Sequence, residues 1–193
     1  LKVDADLLDG VWNDRPELPA EPVSEHLEPF SHIARAAKLA AMREQMGKAG
    51  ESHHFISTLD DIAWLFNLRG NDVSYNPVFL AHALISAEGA TLFVAPGKVD
   101  DAVAARLRAD GVTLAPYEDA AAALAALPAD AVVLLDPRRV TAGMRAAIAP
   151  HAKVVEAINP STLAQSRKTD HEAVHVRATM EQDGAALCEF FAW

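Results

Sequence analysis

The chain has 193 residues, 51% hydrophobic and 23% charged, with a net charge of −10. That length supports one ordinary domain with extra pieces at its ends, and that balance is typical of a soluble globular protein. The acidity excludes nucleic acid and anionic membrane as main partners, since both need a basic face. The single cysteine excludes an internal disulfide and points to a reducing, cytoplasmic setting.

No apolar run reaches the length of a membrane span, and no basic region followed by an apolar core marks a signal peptide. Residues 4–12 read as a short helical piece with Leu7, Leu8, Val11 and Trp12, too small to fold alone and expected to be the tail of something upstream. Residues 13–31 hold four prolines in a polar stretch and predict an extended linker. Ile33, Ala36, Leu39, Met42 and Met46 recur at helical spacing, with Gly50 as the stop. "HHFIST" predicts a strand. Thr58 and Asp61 predict a capping box for the short helix "LDDIAWLFN". "PVFLAHALI" and "ATLFVAP" predict a hairpin around "SAEG". A helix over 100–110 closes on Gly111. The strand "VTLAP", the helix "YEDAAAALAAL", the doubly buried strand "AVVLLD", the helix "TAGMRAAIA" and the strand "AKVVEAI" follow. Asn159-Pro160 breaks the chain, and the pattern from there is helical, with residues 168–193 as one helix. The alternation over 31–158 predicts an α/β fold, a mixed β-sheet flanked by helices.

The usual catalytic patterns are poorly represented. There is no glycine-rich phosphate loop and no nucleophile elbow. Cys188 in "ALCEFF" reads as a small buried side chain rather than a nucleophile. His53 and His54 sit on a strand and point to opposite faces. Asp60 and Asp61 read as acids complementing a helix N-terminus.

His171-Glu172-x-x-His175 matches H-E-x-x-H, which on a helix can place two imidazoles on zinc with a glutamate beside its water. Here Ala173, Val176, Met180, Gly184, Leu187 and Phe191 share one stripe, expected to pack inward, which would turn His171 and His175 to solvent. Ala178 and Glu181 stand where the longer zincin pattern has glycine and histidine. A zincin site is therefore not expected.

"LDDIAWLFNLRGNDVSYNPVF", residues 59–79, resembles the second-domain signature of the three-domain Xaa-Pro aminopeptidases of the creatinase/prolidase-like metallopeptidase family. The match runs through Leu59, Asp60, Ile62, Ala63, Trp64, Leu65, Asn67, Leu68, Arg69, Gly70, Asp72, Tyr75, Asn76, Pro77, Val78 and Phe79. Residues 11–23 resemble that family's linker, and "RATMEQDGAALCEFFAW" its opening catalytic-domain helix, although Met180 stands where the family commonly has histidine.

The resemblance implies a tail and linker at 1–30, a creatinase amino-terminal-like domain at 31–158, and a linker with the first catalytic-domain helix at 159–193. It implies a parent that removes the N-terminal residue from peptides with proline second. That parent would use two divalent ions, manganese or zinc, held by two aspartates, a histidine and two glutamates of a catalytic domain on the same polypeptide. None of those ligands is expected in this chain, so it is expected to hold no cofactor and no catalytic residue. The family commonly dimerises. The loop Arg69–Pro77, with Arg69, Asp72 and Asn76, either shapes the entrance to the active site or is a structural turn bonded to its own backbone. The alternative to the peptidase reading is a stand-alone α/β binding or scaffold module.

Overall fold

The computed structural model describes residues 10–193. The expected helix over 4–12 lies mainly outside them. The proline-rich segment runs without regular structure except at β1 (Ser24–Glu25), which pairs antiparallel with β3 (Leu68–Arg69). Val23 beside it is buried in the core.

The first long helix, α1, spans Arg35–Ala49 and ends where Gly50 takes a left-handed φ of 72°, a conformation glycine adopts without steric cost. β2 (His53–Ile56) and α2 (Leu59–Leu65) follow. β4 (Ala81–Ser86) and β5 (Ala90–Val94) form the expected antiparallel hairpin, with Leu84 opposite Thr91. α3 (Asp101–Ala109) is capped by the Asp100 side chain, which accepts from Val103 N, and its exit turn carries Gly111 at φ 76°. β6 (Val112–Pro116), a 3-10 turn (Tyr117–Asp119), α4 (Ala120–Ala125), β7 (Val132–Leu135), α5 (Ala142–Ala147) and β8 (Lys153–Glu156) complete the alternation.

The six-stranded sheet has the order β6-β5-β4-β2-β7-β8. It is mixed: β2–β4 and β4–β5 are antiparallel, and the other three pairs are parallel. Alternate residues feed two cores. Ile56, Leu92 and Val94 pack with Leu39, Met42, Ile62, Leu65 and Leu107 from α1, α2 and α3. Phe55, Phe93 and Val133 pack with Ala120 and Leu124 of α4 and with Ile148 after α5. The period-two placement of Phe55 against Ile56 is what lets one strand serve both faces.

One local expectation is corrected. Thr58 opens α2 but its side chain makes no cap bond, so the capping box does not form. Its intended partner, Asp61, is fully buried and bonds to the far end of the chain instead. The helical pattern expected from Pro160 begins there, with Pro160 in the first turn of α6 (Pro160–Ser166), where a missing N–H costs nothing.

α7 (Asp170–Ala192) does carry a capping box, between Thr169 and Glu172. Its apolar stripe does not pack: Val176, Met180, Leu187 and Phe191 are exposed, and so is Cys188. The histidine side is the one that meets the body. The ring centroids of His171 and His32 are 4.8 Å apart, and those of His175 and Phe30 are 5.8 Å apart. Sequence periodicity identifies an apolar face without saying what covers it, and among the described residues nothing does.

Candidate functional site

The Arg69–Pro77 loop connects β3 to the run entering β4. Gly70 allows it to fold back, since a Cβ there would lie 2.7 Å from the Cβ of Phe79. Gly70 N donates to Pro77 O, Asp72 N to Val78 O, and Asn76 N to Val73 O, giving a tight double-backed loop with Tyr75 at its tip at φ 61°.

The three loop residues singled out by sequence part company. Asp72 turns inward, where its Oδ2 accepts from Leu80 N at 2.6 Å and pairs with the buried ammonium of Lys98. Arg69 and Asn76 face a hollow of about 200 Å³, which Asp60, Trp64, Pro77, Gln165 and Lys168 also line. Arg69 Nη1 donates to the carbonyls of Ala63 and Leu68 at 2.9 and 2.8 Å, which fixes the guanidinium, and burial lowers its pKa.

Two lysines stand close by. Lys168 Nζ donates to Gln165 O at 2.7 Å. Lys38 is buried beside Trp64, its Nζ 4.3 Å from the ring centroid and bonded to Trp64 O and Asn67 Oδ1. Burial brings the Lys38 pKa down to about 8; Glu172 opposes this, while Arg69 and Lys168 add to it. The same field reaches His26, whose pKa is lowered by burial first and by Arg69 and Lys38 next. The convergence of Lys38, Arg69 and Lys168 has no short-range sequence signal, because the three come from α1, β3 and the α6–α7 connection.

Behind the hollow lies a buried polar cluster that sequence reasoning missed. Asp61 accepts from Asn159 Nδ2 at 3.0 Å, from Gln165 Nε2 at 2.7 Å and from Thr162 Oγ1 at 3.2 Å. Asn159 Oδ1 lies 3.1 Å from His54 Nε2. Burial takes the His54 pKa down to about 4, so the ring is neutral and donates through Nε2. The cluster ties α6 to α2 and β2.

Among the described residues, no group of three or more His, Cys, Asp or Glu side chains is placed to hold a metal ion. His171 and His175, with ring centroids 5.3 Å apart, therefore do not belong to such a group.

The creatinase/prolidase N-terminal domain family matches residues 14–172. The chain belongs to that family. The chain is 38% identical over 199 residues to a probable Xaa-Pro aminopeptidase P of Botryotinia fuckeliana, covering 99% of this chain and 30% of the relative. A protein of the same description from Metarhizium acridum is 36% identical over 205 residues, covering 99% of this chain and 33% of the relative. Among solved structures, the X-prolyl aminopeptidase of Caenorhabditis elegans, a cytosolic enzyme with a di-nuclear active site, superposes with a TM-score of 0.88 at 25% identity. That match covers 100% of this chain and 32% of the nematode enzyme. The chain thus spans about a third of the length of the curated relatives it matches.

Proposed function

We propose that this chain is the non-catalytic middle domain of an Xaa-Pro aminopeptidase, whose full polypeptide removes the N-terminal residue from peptides with proline second. The observation that carries the reading is continuity: relatives described as Xaa-Pro aminopeptidases align with 99% of the chain, not with a shared motif alone. Two divalent ions, manganese or zinc, would serve hydrolysis in the parent. In this reading the ions sit in a catalytic domain elsewhere on the polypeptide, as the di-nuclear active site of the nematode neighbour supports. The parent works in the cytosol, as the nematode neighbour does, and a homodimer is its expected assembly.

Within that enzyme the loop Arg69–Pro77 lines the approach to the catalytic domain. Arg69 and Asn76 face the open hollow and are the substrate-adjacent residues, whereas Asp72 supports the loop from behind through Lys98. The test is the full-length protein with matched peptides that carry proline or alanine at the second position. Release of the first residue from the proline peptide is expected. Release from the alanine peptide alone would refute the reading.

A further inference from the structure

Lys38 and Arg69, drawn into the fold, and the exposed Lys168 share one property in this acidic protein. Each hydrogen-bonds only to carbonyl or amide oxygens, and among the described residues none has a carboxylate within ion-pair distance. Two other buried cations are neutralised, Arg35 by Glu25 and Asp110 at 2.7 and 2.8 Å and Lys98 by Asp72, whereas the half-buried Arg43 donates only to the carbonyl of Ser86. The sequence has 27 acids to 17 bases, so carboxylates are not scarce. Glu172 is near but is held by Thr169 N and Oγ1, and Asp60 lines the hollow without pairing to either cation there. Gathering charge of one sign beside a hollow without local neutralisation is costly, and an anionic ligand removes the cost.

We propose that the hollow between Arg69 and Lys168 receives the C-terminal carboxylate of the peptide substrate; this rests on the peptidase reading above. The guanidinium is the better clue to the ligand. Its Nη1 is committed to two backbone carbonyls, which fixes its plane, and a fixed planar fork matches a carboxylate in two-point contact. Lys168 supplies a mobile second charge. Asn76 and Gln165 offer amides at the rim, and Trp64, Pro77 and Val78 give an apolar wall for the last side chain. Lys38, behind Trp64, deepens the positive potential without touching the ligand.

The experiment compares an Xaa-Pro peptide as free acid and as C-terminal amide on the full-length protein. KM for the acid is expected to lie about tenfold below that for the amide, the worth of one charge-assisted contact. Lys168→Glu and Arg69→Gln should each bring the acid-to-amide ratio close to one. Lys168 is exposed, so its variant remains readable even if Arg69→Gln fails to fold. A wild-type protein blind to the difference overturns the proposal. So do variants that keep the wild-type ratio, which would assign the cations to a carboxylate of the same polypeptide. The same two peptides are titrated calorimetrically into metal-free protein. A protein that cleaves neither peptide fails the peptidase reading, yet it still reports the receptor through tighter binding of the acid; equal affinities overturn the receptor.

Discussion

Asn159 Nδ2 donates to Asp61 Oδ2 at 3.0 Å, so the residue that opens α6 is held by the third residue of α2, 98 positions earlier. Asp61 also takes Thr162 and Gln165 from the same helix. Asp61→Ala removes the acceptor for three donors and leaves the buried Asn159 Nδ2 with only Thr58 Oγ1 at 3.2 Å. Unfolding in urea should show a loss of about 3 kcal/mol, read from the midpoint at constant slope. A loss below about 1 kcal/mol would show that water replaces the carboxylate and that the cluster does not hold α6.

His54 gives the cluster a pH dependence. Its folded pKa, about 4, lies below the ordinary value of 6.5 because burial disfavours the charged ring. The unfolded chain therefore binds a proton that the folded chain refuses between those values. The stability tied to the neutral ring is complete above about pH 6.5 and is lost as pH falls toward 4, by up to about 3 kcal/mol. His54→Gln should flatten that part of the stability curve. An unaltered slope between pH 6.5 and 4 would place the acid sensitivity elsewhere.

Much of the fold is legible in sequence, and the reasons differ by element. Gly50 and Gly111 announce helix exits because left-handed backbone there suits glycine. The strands declare themselves because both sheet faces are covered, which leaves runs such as "AVVLLD" with hardly a polar residue. Thr58 and Asp61 mislead because their spacing fits a local cap as well as a distant partner, and only the fold brings Asn159, Thr162 and Gln165 to the carboxylate. The α7 stripe misleads for the reverse reason: Val176 to Phe191 is apolar at helical spacing, yet among the described residues nothing covers it. Arg69 was visible through its motif, whereas the nearness of Lys38 and Lys168 needed three-dimensional proximity.

The ion pair behind the loop yields a third expectation. The side chains of Asp72 and Lys98 are both shielded from solvent; Lys98 meets Asp72 Oδ2, and Asp72 Oδ1 has no hydrogen-bond partner. Lys98→Met leaves a buried carboxylate without its counter-charge and should cost about 3–5 kcal/mol, while adding Asp72→Asn should recover part of it. Additive losses in the double variant would mean the pair is not coupled.

Gly70 is the steric requirement of the same loop. A methyl there meets Phe79 Cβ at 2.7 Å and Val78 O at 3.3 Å, and Phe79 is fully buried. Gly70→Ala should lower stability by about 1–3 kcal/mol and broaden the amide signals of residues 69–79. A melting temperature equal to the parent's would show that the backbone moves aside freely.

The 193-residue chain by itself should neither cleave peptides with proline second nor retain zinc or manganese after dialysis. The nearest metal-binding pattern, His171 and His175, joins no set of three donors among the described residues. One tightly held zinc per chain, abolished by His171→Ala, would contradict this.

Among the described residues, the 23-residue α7 is fastened near its start, at the Thr169–Glu172 cap and where His171 and His175 meet His32 and Phe30. Every residue from Val176 to Trp193 is exposed. A helix of that length measures about 35 Å at 1.5 Å per residue, so a tilt of about 10° at its base displaces the tip by roughly 6 Å. α7 is therefore a lever, with its bearing at Thr169 and its mounting in the Asp61 cluster that seats α6. Whatever grips its shaft is aimed by those few side chains, and a fault in the mounting would appear farthest from where it arose.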